Sequence, residues 1–228
     1  MAMQNSLNKK SDSLTLDPGA AGDSVLQFSI NGTGEFCVGI DDSDADKFKV
    51  SQGSALGTND TFTMTAVGER AMPLQPAFLA LRDPNGFVFS ITGDGTVWVM
   101  GTAAMTEIFD QNSDFNTNGT FTAPVTGRYK FTTGWMLSDQ SGVAMTSTDC
   151  EMSLLTSNRT WYGFKESPAG RTSAASSAVR IMMVFFVDMD AADTAVSRIM
   201  CDGAGAKVVD VYFNKTAVQT WFGGSLIC

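Results

Sequence analysis

Residues 109–137 read FDQNSDFNTNGTFTAPVTGRYKFTTGWML. The first part is turn material. Asp110, Asn112, Asp114, Asn116 and Asn118 are residue types that tolerate left-handed backbone and bond their own main chain. From Gly127 the texture changes. Tyr129, Phe131, Trp135 and Leu137 fall on alternate positions, with Arg128, Lys130, Thr132 and Met136 between them. A period of two puts one set on one face of a strand. Trp135 in this long alternating strand is therefore expected in a core.

The same texture extends outward in both directions. Short β-branched or aromatic runs are separated by Gly, Asn, Asp and Ser, and no helix-period segment stands out. Only 188–196, where Ala and Asp cluster, offers room for a helix. Candidate strands recur at 77–82, 87–91, 97–100, 107–109, 119–121, 127–137, 150–155, 159–165, 174–187, 195–200, 208–213 and 220–227. Many short strands with turns between them predict an all-β sandwich or barrel. Residues 178–187, AVRIMMVFFV, are apolar on both alternating faces, as in a strand buried on both sides. One face would fill the chain's own core. The other, taken as Ile181, Met183, Phe185 and Val187, would meet partner chains at a trimer interface.

Upstream lies a smaller β unit, 23–72. Asn31-Gly32-Thr33-Gly34 signals a hairpin. Thr61-Phe62-Thr63-Met64-Thr65 alternates strictly between Thr and apolar residues. So short a unit buries too little surface alone, and identical copies are expected to complete its core as a stem. Met72-Pro73-Leu74-Gln75-Pro76 is the expected joint, because each Pro enforces extended geometry. Residues 1–22 read as an arm, and 73–228 as the larger domain.

Composition narrows the function. The 228 residues carry a formal net charge of -9 and no histidine. An acidic chain gains no counterion-release energy from a phosphate backbone, so nucleic acid is not an expected partner. Lack of histidine removes the commonest general base and zinc ligand, and with them Ser-His-Asp and Cys-His catalysis. The cysteines, Cys37, Cys150, Cys201 and Cys228, form no CxxC pair and are expected as buried thiols. The opening residues lack the apolar run of a secretory signal. No stretch reaches the roughly 20 apolar residues of a membrane span. Membrane insertion is not expected, and synthesis in a cytoplasm is.

Three stretches together resemble the complement/tumour-necrosis-factor-like jelly roll. Pro76-Ala77-Phe78-Leu79-Ala80 is similar to its opening strand. In 109–137, Pro124, Gly127, Tyr129 and Phe131 follow the family's order of Asn-rich loop, Pro-x-x-Gly turn and aromatic strand. TWFGGSLIC at 220–228 is similar to its last strand. Residues 39–60, GIDDSDADKFKVSQGSALGTND, followed by MPLQPAFLA, resemble the stem-to-head junction of bacteriophage tail-fibre and related virion proteins. The resemblance implies a jelly-roll β-sandwich head preceded by a small β stem unit, homotrimeric, acting in attachment rather than catalysis. It implies a virion location, with the arm bound to other virion proteins and the head to a host cell-surface glycan or protein. The alternative is a structural head-decoration or tail-connector role.

Asp42, Asp44 and Asp46 have the alternate-carboxylate start of a calcium loop, but Lys47 and Gly53 stand where its Gly and Glu belong. Calcium is the one cofactor this pattern suggests. Asn158, Arg159, Trp161 and Tyr162 lie near a turn, where aromatic rings can stack on a sugar. Glu107 with Asp110, and Asp149 with Glu151, are the only carboxylate pairs suggestive of a glycosidase, and nothing sets their separation.

Overall fold

A computed structural model of the chain describes residues 15–19, 21–139, 145–173 and 177–228. Most of the expected arm lies outside these residues. The chain forms two units, Met1–Leu74 and Gln75–Cys228.

The first unit is one antiparallel sheet with its strands in chain order: β1 (Ser24–Ile30), β2 (Thr33–Asp41), β3 (Lys47–Gln52), β4 (Asp60–Met64) and β5 (Arg70–Ala71). Asn31 and Gly32 make the first turn, with φ of 52° and 80°. Those left-handed values match the tight hairpin that Asn-Gly specifies. Register then sorts the side chains. Leu26, Val38, Val50 and Phe62 line up across four strands, beside Ile40, Phe48 and Met64. Phe28 and Phe36 extend the same face. The opposite face carries Cys37, Lys49 and Ser51, all buried, and the loop after β3 lays Leu56 in the buried set. The covered side of this sheet is thus its more polar side. The apolar side stays open: Leu26, Phe28, Phe36 and Ile40 are 38–55% exposed.

The second unit contains β6 (Ala77–Leu81), β7 (Gly86–Thr92), β8 (Val97–Val99), β9 (Thr106–Asp110), β10 (Phe121–Thr122) and β11 (Gly127–Asp139). It continues with β12 (Asp149–Thr156), β13 (Thr160–Glu166), β14 (Ala178–Met189), β15 (Thr194–Asp202), β16 (Val209–Phe213) and β17 (Trp221–Leu226). Eight of these build two facing sheets, β6-β17-β11-β14 and β10-β15-β12-β13. Apart from the β12–β13 hairpin, successive strands of this set switch sheets. That is the double Greek key of a jelly roll. β7, β16 and β9 extend the first sheet, and β8 pairs with β15 in the second.

Aromatic rings fill the space between the sheets. Phe78 stacks on Phe115 at 4.5 Å and on Phe121 at 5.2 Å, and meets Phe222 edge-on at 5.1 Å. Trp135 is fully buried, and its indole N–H donates to Ser197 Oγ at 3.1 Å. Thr133 Oγ1 lies 2.8 Å from the same oxygen. One polar knot therefore ties β11 to β15 across the core. The segment offered as a helix, 188–196, is instead the end of β14, a turn and the start of β15. Ala192 takes φ of 72° there and Asp193 accepts from the Asp190 amide. Turn chemistry prevails because too few residues separate two long paired strands.

Candidate binding surfaces

The acidic turn after β2 closes on a lysine. Asp41 ends the strand, and its carboxylate accepts from the Ser43 amide at 3.0 Å, capping a single 3-10 turn at Asp42–Asp44. Lys49 on the adjacent strand sends its ammonium under that turn. Its Nζ lies 2.8 Å from Asp41, 2.7 Å from Asp44 and 3.1 Å from Asp60. Of the three expected calcium ligands only Asp44 joins this cluster. Asp42 and Asp46 are exposed, the chain reversing through left-handed backbone at Ala45 and Asp46. The sequence reading missed the lysine and Asp60, which is 16 residues downstream of Asp44. Among the described residues no group of three His, Cys, Asp or Glu side chains is placed to hold a metal. Hydrogen bonds from Lys49 and then Ser43 hold the Asp41 carboxyl below its usual range.

At the β12–β13 hairpin, Thr156 brackets the turn through the Arg159 carbonyl. Asn158 donates to Asp193 at 2.6 Å, and Ser157 donates to the other oxygen of that carboxylate at 2.8 Å. Arg159 bridges to Asp188 at 3.1 Å and lies over the Trp161 ring, 5.5 Å from its centre. Arg128, Asn158, Arg159, Asp188 and Asp190 line a cavity of about 360 Å³ beside this hairpin. The structure thus brings Asn158 and Arg159 together at a rim. It separates the two aromatics. Trp161 packs against the core while Tyr162, 68% exposed, points to the opposite side. Neighbours on a strand face opposite ways, so the pair cannot clasp one ring between them.

Three of the carboxylates weighed as glycosidase pairs make local contacts. Asp110 accepts from the Asp114 and Phe115 amides. Asp149 and Glu151 share Lys165 at 3.1 and 3.7 Å. The Asn-rich stretch likewise shapes its own turns, with Asn116 and Asn118 accepting from amides two residues on.

The face expected at the trimer interface requires correction. Ile181, Phe185 and Val187 are 2–6% exposed in the single chain, and Met183 packs against the same core. They oppose Trp135, Phe131 and Tyr129 of β11, which already face inward. The outward set is Met182, Val184 and Phe186, at 65, 48 and 65% exposure. These lie opposite Gly134, Thr132 and Lys130. Trp221 of β17 rests against the bare backbone of Gly134, where an added Cβ would strike its ring. Leu79 and Phe109 continue the surface across β6 and β9. Depressions of about 360 and 250 Å³ run along it, the first between Met182, Val184 and Trp221, the second between Phe109, Lys130 and Gly223.

No family model matches the chain, and neither does any curated protein. Solved structures with some likeness include the globular domain of zebrafish complement 1qA, at 18% identity and TM-score 0.42. It covers 68% of this chain and 98% of its own. Murine APRIL at pH 5.0 gives 11% and 0.43, over 67% and 99%. PRD1 vertex protein P5 gives 9% and 0.44, over 68% and 99%. The jelly-roll assignment rests on the strand order and register described above. No helix among the described residues is long and apolar enough to cross a membrane.

Proposed function

We propose that this chain is a trimeric virion fibre protein that attaches its particle to a host-surface glycan or protein. The observation that carries the reading is the pair of open apolar sheet faces, one in each unit. Isolated exposed apolar residues are ordinary, but a contiguous patch marks an interaction surface. The face bearing Leu26, Phe28, Phe36 and Ile40 is the more apolar side of its sheet by composition and the less covered by structure. Further copies of the same sheet would complete it, each supplying one wall of a closed prism. The second-unit face around Met182, Phe186 and Trp221 continues that logic in the head. Closed symmetry satisfies such faces without leaving one open to endless addition.

Within this reading the first unit is the stem and the jelly roll is the outward head. The rim at Asn158 and Arg159, with Tyr162 exposed on the adjoining strand, is the receptor-facing candidate. Three copies of one weak site gain avidity without new contacts.

Light scattering on the purified chain at dilution tests the assembly. A mass near three times 24.3 kDa is expected. A monomer or a dimer overturns the threefold fibre. If the trimer holds, free protein should bind susceptible cells and block infection. Failure to do either removes the attachment role.

A further inference from the structure

Cys150 and Cys201 are directly opposed on β12 and β15. Both are fully buried, and their sulfurs are 2.7 Å apart although the residues are 51 positions apart in the chain. The backbone around them identifies the kind of pair they form. The Cys201 amide donates to Thr92 Oγ1 at 2.9 Å, and its carbonyl accepts from the Gly93 and Gly95 amides at 3.0 Å. Both main-chain groups therefore point away from β12. Cys150 and Cys201 are a non-hydrogen-bonded cross-strand pair. Such pairs bring their Cα atoms to about 4.5 Å, the closer of the two antiparallel spacings. That lies inside the range of roughly 4.4–6.8 Å that a disulfide spans without moving backbone.

We propose that Cys150 and Cys201 are a disulfide site, closed when the head meets a small-molecule disulfide oxidant. In the reaction one thiolate attacks the oxidant, for example oxidised glutathione, and displaces one reduced thiol. The second cysteine then attacks the mixed disulfide and displaces the other. One S–S bond forms within the protein and one is broken in the oxidant. The two thiol protons and two electrons leave on the reduced oxidant. Cys37 lies in the other unit and Cys228 is exposed, so neither competes for this partner in the folded head.

The hydrogen bond between the thiols and their burial both raise the Cys201 pKa. Attack needs the thiolate, so closure in the folded head waits on local openings that expose one of the two buried sulfurs. The bridge joins the two central strands of one sheet. It strengthens the head once the protein leaves a reducing cytoplasm, whatever the head binds.

The test uses the full chain, purified reduced and then either held folded in oxidised glutathione or refolded in a glutathione redox couple. Free thiols are alkylated in denaturant and located by peptide mass spectrometry. Cys37 should be alkylated, Cys228 should be alkylated or carry one glutathione because it is exposed, and the peptides of Cys150 and Cys201 should be joined and lighter by two hydrogens. The melting temperature should rise on oxidation and fall back with reductant. In C150S, which leaves Cys201 no partner, oxidation should leave it unchanged. Cys150 and Cys201 recovered alkylated or carrying glutathione by both routes, or a bridge engaging Cys37 or Cys228 instead, overturns the proposal.

Discussion

A lysine with only 3% of its side chain exposed is held in a five-stranded sheet because three carboxylates reach it. Lys49 and Asp41 are both taken from water, so the pair is costly to break even where its net worth is small. Lys49→Met should destabilise the first unit by about 3 kcal/mol, the low end for such a break, since one loop screens the site. Denaturant titration of the full chain measures it. The same cluster sets an acid limit. Hydrogen bonding to Lys49 lowers Asp41, and Lys47 then Lys49 lower Asp44. Burial would raise Asp60, but Ser51, the Gly57 amide and Lys49 together bring it down. Folded values below the unfolded one mean stability is fully present above about pH 4 and drains as pH falls through the folded values. The denaturation midpoint should drop in that window, and K49M should reduce the drop without abolishing it, because Ser43, Lys47, Ser51 and the Gly57 amide still hold the carboxylates down. Asp42, Asp44 and Asp46 look alike in a string of residues. Only the register of β2 against β3 reveals that Lys49 already serves as the cation for Asp44, beside Asp41.

The strands succeed or fail on small contacts between them. Ser197 accepts from the Trp135 indole and meets Thr133. Ser197→Ala leaves a buried N–H unpaired, at a cost of about 1–3 kcal/mol, read from the equilibrium unfolding of the head. Gly134→Ala pushes a methyl into the Trp221 ring and should cost about 1–3 kcal/mol by overpacking. It should also alter Trp221 fluorescence more than it alters the buried Trp135. Alternation made β11 legible, because only one of its faces is aromatic. It failed in β14, where both faces are apolar and parity alone looks arbitrary. A clue was present all the same. Arg180 and Asp188 share parity with Met182, Val184 and Phe186, and a charged residue marks the wet side. The inward set could have been read from that. The rim could be placed near a turn, yet Trp161 and Tyr162 diverge because they are adjacent on a strand. Cys150 and Cys201 were beyond reach, since pairing across 51 positions depends on the register of β12 against β15.

At the scale of the molecule, two units share one unmet requirement, an apolar sheet face that their own chain leaves open. If further copies cover those faces, folding and assembly are coupled, and stability must depend on protein concentration. The melting temperature of the wild-type chain should therefore rise as concentration increases. Charges placed on one face at a time separate the contributions. Phe28→Asp with Phe36→Asp addresses the first unit, and Met182→Asp with Phe186→Asp the second. These side chains are 47–65% exposed, so an aspartate there is solvated in the single chain and does not unfold it. Each pair should weaken assembly, and the four together should give a folded chain of 24.3 kDa whose melting temperature no longer responds to concentration. Scanning calorimetry over a dilution series, with circular dichroism to confirm the β fold, reads both properties in one preparation. A concentration-independent wild type would mean that these faces meet something other than this chain. The stem, the shared axis and the avidity of the rim would then fall together, because all three require the same copies to be present.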